Sequence, residues 1–234
     1  MRLPNGETEY VRTPMPKEAL LHPQDEDYPV ESDPHDIDRT YLRTTIGARL
    51  PRGWIILSSC RVDWGVPGIE PHGPDISVLK GLRGRRKNWK TFYVAREKAK
   101  PVAAIEITSS STRVNDLKTK VDEYYRAGVP LYAIVDARER SKVRELQIVG
   151  YQSGKSRYEK MDLDARGRLL LEPLGIWLGA EGGQVSCWDA GTGERLEDYD
   201  GLLLDRERER RARSVAEEET RRLREEIRRL RGQS

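Results

Sequence analysis

Residues 101–136, PVAAIEITSSSTRVNDLKTKVDEYYRAGVPLYAIVD, read as a buried strand, a Ser/Thr-rich turn, an amphipathic helix and a second buried strand. Val102, Ala103, Ala104, Ile105 and Ile107 form a nearly continuous apolar run, the pattern of a strand covered on both faces, and Glu106 interrupts it. An ionised carboxylate with no partner is strongly unfavourable there, so Glu106 requires a cation, a set of strong donors, or the open end of the sheet. Residues 109–112 offer hydroxyls for a helix N-cap, and Asp116, Lys120 and Tyr124, spaced by four, share one stripe of the helix. Gly128 ends that helix in the left-handed cap position and Pro130 prevents its continuation. The strand–helix crossover therefore brings Glu106 and Lys120 within reach of each other.

A chain of 234 residues with 36% hydrophobic content supports one core of fair size. The division expected is an extended or disordered arm over 1–34, a single domain over 35–204 and a charged helical tail over 205–234. The arm is rich in Pro and acids and has no sustained period. Cys60 and Cys187 lie far apart with no CxxC, so neither a disulfide framework nor a zinc knuckle is indicated, and a cytoplasmic protein is expected. No apolar run approaches the length of a membrane span.

Before the central stretch, residues 36–50 read as a covering helix stopped by Pro51, WIILSSCRVDWG as a strand run, and GPDISVLK as a strand with Asp75 at its mouth. After Asp136 the pattern becomes short antiparallel strands that extend or flank the sheet. In the tail, Leu223, Ile227 and Leu230 follow 4-3 spacing, a thin seam that suits a helix packing on a partner or forming a homodimer; the core is the other surface for such a dimer.

The net charge of +3 resides in the tail, where residues 205–231 hold eleven Arg against eight acids. Local charge is more informative: residues 79–100 carry nine Lys/Arg and only Glu97. Arg83, Arg85, Arg86, Lys87 and Lys90, interleaved with Trp89, Phe92 and Tyr93, suit phosphate contacts with aromatic stacking on DNA. The competing reading is a solvated loop with apolar anchors.

Asp75, Glu106 and Lys120 place two acids and an amine on consecutive core elements. Two hard carboxylates on adjacent strands suit Mg²⁺ (or Mn²⁺), with the Ile107 backbone carbonyl as a third oxygen. Lys120 would orient or help deprotonate the attacking water, or neutralise charge on the pentavalent phosphate. The plainer alternative is that Glu106 and Lys120 are a buried ion pair, or that Lys120 pairs only with Asp116 along the helix. Tyr124 reads equally as a core residue, and His72, in a Pro/Gly turn, reads as solvated and outside the site.

Pro74-Asp75 followed by Glu106-Ile107-Thr108 resembles the PD-(D/E)xK nuclease motif, with Thr where its lysine stands. The ordered set PD, then EITSSSTRVNDLKTKVDEYYRAGVPLYAIVD, resembles more closely the Uma-type family of restriction endonucleases, in which the lysine has moved to the helix. The resemblance spans about residues 35–150 and is dense between 74 and 136. It implies an α/β, restriction-endonuclease-like core, a mixed central sheet flanked by helices, and metal-dependent cleavage of DNA. It carries over to Asp75 and Glu106 as metal ligands, Lys120 as the amine, and Asp116 and Tyr124 as supporting positions. It further implies an acid on an early helix, for which Asp36 and Asp38 are the candidates. A module of the same fold that binds nucleic acid or a protein partner without turnover is the alternative function.

Overall fold

The computed structural model describes residues 33–82, 87–109, 111–140, 143–197, 210–211 and 213–222. In chain order its first half runs α1 (Asp33–Gly47), β1 (Trp54–Ser58), β2 (Arg61–Asp63), β3 (Ile76–Lys80), β4 (Thr91–Tyr93), α2 (Val94–Glu97) and β5 (Lys100–Ile107). A π-helical turn, Asn115–Thr119, then runs into α3 (Lys120–Arg126). The strands β6 (Leu131–Arg140), β7 (Val143–Ser153), β8 (Tyr158–Lys160), β9 (Leu169–Leu171), β10 (Ile176–Glu181) and β11 (Gln184–Asp189) complete the unit 1–194.

The apolar run around Glu106 is β5, third in a six-stranded mixed sheet ordered β1-β3-β5-β6-β7-β8. Within this sheet only β5 and β6 pair in parallel, joined by the crossover through α3; the other neighbours pair antiparallel. Alternation along the strands gives each face its own core. Ile55, Leu57, Ala104, Tyr132 and Ile134 pack with Tyr124, Phe92 and Trp64 on the α3 side. Residues of opposite parity point the other way, and Ile56 lies close under Gly47 of α1. The β3–β5 ladder runs in register from Ile76↔Ile105 to Val78↔Ala103 and then slips one residue to Leu79↔Pro101, a bulge at Val102.

One expectation gives way to the structure. The WIILSSCRVDWG run is two strands: Ser59 adopts φ 48°, and β2 leaves the main sheet to pair in parallel with β4. Of the antiparallel strands expected to extend or flank the sheet, β7 and β8 extend it, whereas β9, β10 and β11 form antiparallel pairs of their own beside it. Asp38 fixes α1 to this second layer, accepting Val185 N at 2.9 Å and pairing with Arg144 at 2.7 Å, while the Tyr41 hydroxyl oxygen accepts Cys187 N at 2.9 Å.

Of the expected arm, residues 1–32 lie outside the described residues, and Asp33 and Pro34 open α1. Within the unit 195–234, residues 213–222 are helical and exposed, with Arg213 and Glu217 paired at i, i+4; Leu223, Ile227 and Leu230 lie outside the described residues. No helix among the described residues is long and apolar enough to cross a membrane.

Candidate active site

Asp75 follows Pro74 and immediately precedes β3, and one further step of the β3–β5 register sets it against Glu106. The two acids are interlocked through the opposite strand's backbone. Ile107 N donates to Asp75 Oδ2 at 2.8 Å, and Asp75 N lies 3.4 Å from Glu106 Oε2. Both side chains are buried, Asp75 at 7% and Glu106 at 3% exposure. The peptide that links Glu106 to Ile107 is thereby held beside the Asp75 carboxylate; the Ile107 carbonyl, the expected third oxygen, belongs to the next peptide.

The helix that carries the amine starts in a reciprocal box. Ser109 Oγ accepts from Thr112 N at 3.2 Å and Thr112 Oγ1 accepts from Ser109 N at 3.0 Å. The π turn follows, with Lys120 N bonded to Asn115 O. In an α-helix each step of four residues drifts by about 40°; the wider turn takes up that drift and keeps Asp116, Lys120 and Tyr124 over the sheet. Lys120 Nζ donates to Glu106 Oε1 at 2.8 Å and lies 2.8 Å from Asp116 Oδ1, and the Tyr124 hydroxyl donates to Glu106 Oε1 at 2.6 Å.

Two carboxylates, Glu106 and Asp116, thus hold one ammonium, and a third, Asp75, stands beside Glu106. Burial pushes Glu106 up to about 7; Lys120 opposes the rise, and Asp75 and Asp116 add to it. Burial pulls Lys120 down, but Glu106 and Asp116 outweigh it and hold the amine above its ordinary range. The two shifts agree: the ammonium has two carboxylate partners, and Glu106 shares its one cation with Asp116.

A family model described as "Putative restriction endonuclease", Uma2, matches residues 26–181. The chain belongs to the Uma2 family. The crystal structure of "a putative nuclease belonging to DUF820" from Anabaena variabilis is 16% identical, with 62% of this chain and 76% of that chain covered at a TM-score of 0.45. No curated protein matches the chain.

Neither candidate for the family's early-helix acid reaches the centre: Asp36 pairs with Arg39 at the surface and Asp38 is spent on β11 and Arg144. The early helix instead supplies His35, whose Nε2 lies 2.9 Å from Asp75 Oδ1. Its only sequence signal is a position three residues before Asp38, in the first turn of α1. His72, expected in solvent, is 5% exposed. Trp64 Nε1 donates to His72 Nδ1 at 2.8 Å, which leaves the proton on Nε2 to bond Glu123 at 2.7 Å, and the ring packs 4.8 Å from Tyr124. Long-range partners, Glu123 and Tyr124, bury it together with Trp64.

In the basic segment, Arg83, Arg85 and Arg86 lie outside the described residues. Lys87 pairs with Glu97 at 3.1 Å, and Lys90 is exposed. Phe92 is fully buried and Trp89 packs on it while donating to Glu97, so these two rings anchor the segment to the core and are not stacking platforms. Tyr93 carries Arg96 over its ring.

The family implies a divalent cation, and the donor set fits one. All the candidate ligand atoms are hard oxygens, and the excess of buried carboxylate over ammonium is a deficit of positive charge that a cation would make good. Among the described residues no three His, Cys, Asp or Glu side chains form a ligand group, so Asp75 and Glu106 would be the protein's carboxylate share of the shell.

Proposed function

We propose that this chain is a metal-dependent endonuclease that hydrolyses phosphodiester bonds in DNA by attack of an activated water. The observation that carries the reading is the interlock of Asp75 and Glu106 with Lys120 donating to the same Glu106 oxygen as Tyr124. Asp75 and Glu106 would hold Mg²⁺ or Mn²⁺, which supplies Lewis-acid stabilisation of phosphate charge and acidifies water when bound. Ile107 N–H and Tyr124 fix the orientation of the two carboxylates. Lys120, held above its ordinary range, stays protonated at neutral pH. Its role is therefore that of a cationic donor to the charge that builds on the phosphate, not that of a base. Asp116 keeps the ammonium in place from the helix side.

A cleavage assay on supercoiled plasmid, titrated with Mg²⁺ and Mn²⁺, tests the reading. Wild type is expected to nick or linearise the plasmid only with the cation, and Asp75→Asn to abolish this. Cation-independent cleavage, or full activity in Asp75→Asn, would refute it. One observation favours a second reading, a binding module without turnover: Glu106 Oε1 is already satisfied twice, and Thr108 occupies the motif's lysine position. Binding of DNA with no cleavage under any cation would select that reading.

A further inference from the structure

Thr108, in the position where the nuclease motif has its lysine, turns to a different partner: its hydroxyl donates to Asp136 Oδ1 at 3.3 Å and accepts from Ala137 N at 2.9 Å. Asp136 ends the apolar part of β6 and is 2% exposed. Two guanidiniums converge on it. Arg113, at the start of the helix, donates through Nε at 2.6 Å and Nη2 at 3.0 Å to the two carboxylate oxygens. Arg138 donates to Oδ2 through Nε at 3.0 Å and Nη2 at 2.7 Å. Burial works to raise Asp136, but the two arginines hold it below its ordinary range. The cluster therefore carries two fixed positive charges against one negative, and each arginine side chain remains 34% exposed.

The position follows from the register. Glu106 pairs with Ile134 and Ile107 with Val135, so Thr108 and Asp136 lie one pleat further on, on the same face as Glu106. Two residues along the strand and one strand across put Asp136 about 8 Å from Glu106, taking roughly 3.3 Å per residue and 4.8 Å between strands. Both guanidiniums spend their Nε and Nη2 edges on Asp136, and neither Nη1 is engaged by an acceptor among the described residues. A buried carboxylate that needed only neutralising would be satisfied by one bidentate arginine. The second supplies surplus charge, and the shared anchor removes the ordering cost that two free arginines would carry into binding.

We infer that Arg113 and Arg138 form a phosphate clamp, set in place by Asp136, that grips the DNA backbone at a phosphate adjoining the one presented to Asp75 and Glu106. This rests on the nuclease reading for its substrate and adds to it the residues that seat that substrate. The clamp recognises phosphodiester charge, so it contributes affinity without base preference.

The test is binding of a fluorescein-labelled DNA duplex of about 20 base pairs by the full chain without divalent cation, over about 50 to 200 mM salt. Arg113→Gln and Arg138→Gln are each expected to flatten the slope of log K against log salt by about 0.9, the value for one phosphate no longer neutralised. Arg138→Lys should keep the slope while lowering affinity, since charge survives and the fork does not. Wild-type affinity and slope in Arg138→Gln would overturn the clamp. That variant is decisive even where Arg113→Gln fails to melt cooperatively, because Arg113 still pairs both oxygens of Asp136 in it. Plasmid cleavage run on the same preparations separates the two claims. An arginine-dependent slope without cleavage supports the clamp and refutes hydrolysis, whereas cleavage with an unchanged slope refutes the clamp alone.

Discussion

Replacing Lys120 by Met is the change to which the centre is least symmetric. The ammonium is the charge partner of both Glu106 and Asp116, each at 2.8 Å, and the two acids are 3% and 1% exposed. Its loss strands two buried carboxylates, and breaking such a pair costs about 3 to 5 kcal/mol. For a domain of this size a kcal/mol moves the midpoint by roughly 2 to 4 °C, so the fall should be roughly 6 to 20 °C. Glu106→Gln should behave otherwise. Glutamine still offers Oε1 to Lys120 and Tyr124, Asp116 still holds the ammonium, and one of three mutually repelling carboxylates is gone; the net change should stay within about 1 kcal/mol. The double variant should remain nearly as unstable as Lys120→Met, because Asp116 is still stranded. Thermal melts by circular dichroism in chelator at pH 7.5 measure all four proteins. Equal losses in the two single variants, with stability recovered in the double, would mean that Glu106 and Lys120 form a private ion pair and that the centre holds no surplus of carboxylate.

Glu106 in the metal-free fold titrates near 7, above its ordinary value of 4.5, so the stability its protonated form contributes is full below about 4.5 and is lost as pH rises through about 7. Melts in chelator from pH 5 to 8 should fall more steeply for wild type than for Glu106→Gln; parallel curves would contradict the raised value. His35→Ala removes the imidazole beside Asp75 Oδ1 and should weaken Mn²⁺ binding measured by calorimetry, with His35→Gln, which keeps a donor, restoring part of it. Gly150→Ala would drive a methyl into the Leu169 side chain and should destabilise by about 1 to 3 kcal/mol in chemical denaturation. Truncation after residue 204 should leave a cooperative melt, since the described part of the tail is an exposed helix.

The parts of this centre that the sequence displays are those set by local spacing. Glu106 in an apolar run demanded a partner, the four-residue stripe supplied Lys120 and Tyr124, and Gly128 with φ 71° closed the helix as its position required. What escaped was fixed across the fold. Asp38 looks like a helix-start acid until β11, some 147 residues on, presents Val185 N to it. His72 reads as a turn residue until Trp64 and Glu123 enclose it, and His35 acquires meaning only when Asp75 lies against it. In the basic segment the apolar anchor of the competing reading is Phe92, which faces the core because β4 pairs with β2, a pairing no local period announces.

The bulge at Val102 separates the sheet into two mechanical zones. On its far side lies Pro101 and the stretch of chain that joins β3 to β5 through the basic segment; on its near side lie the three register steps that fix Asp75 against Glu106. A length change before Trp89 would meet the slipped rung before it reached the acids, because the ladder is already interrupted there. The freedom stops where the segment enters the core: β4 pairs with β2 and Phe92, Val94 and Ala99 are buried, so the tolerant coupling serves only the part of the segment that precedes Trp89.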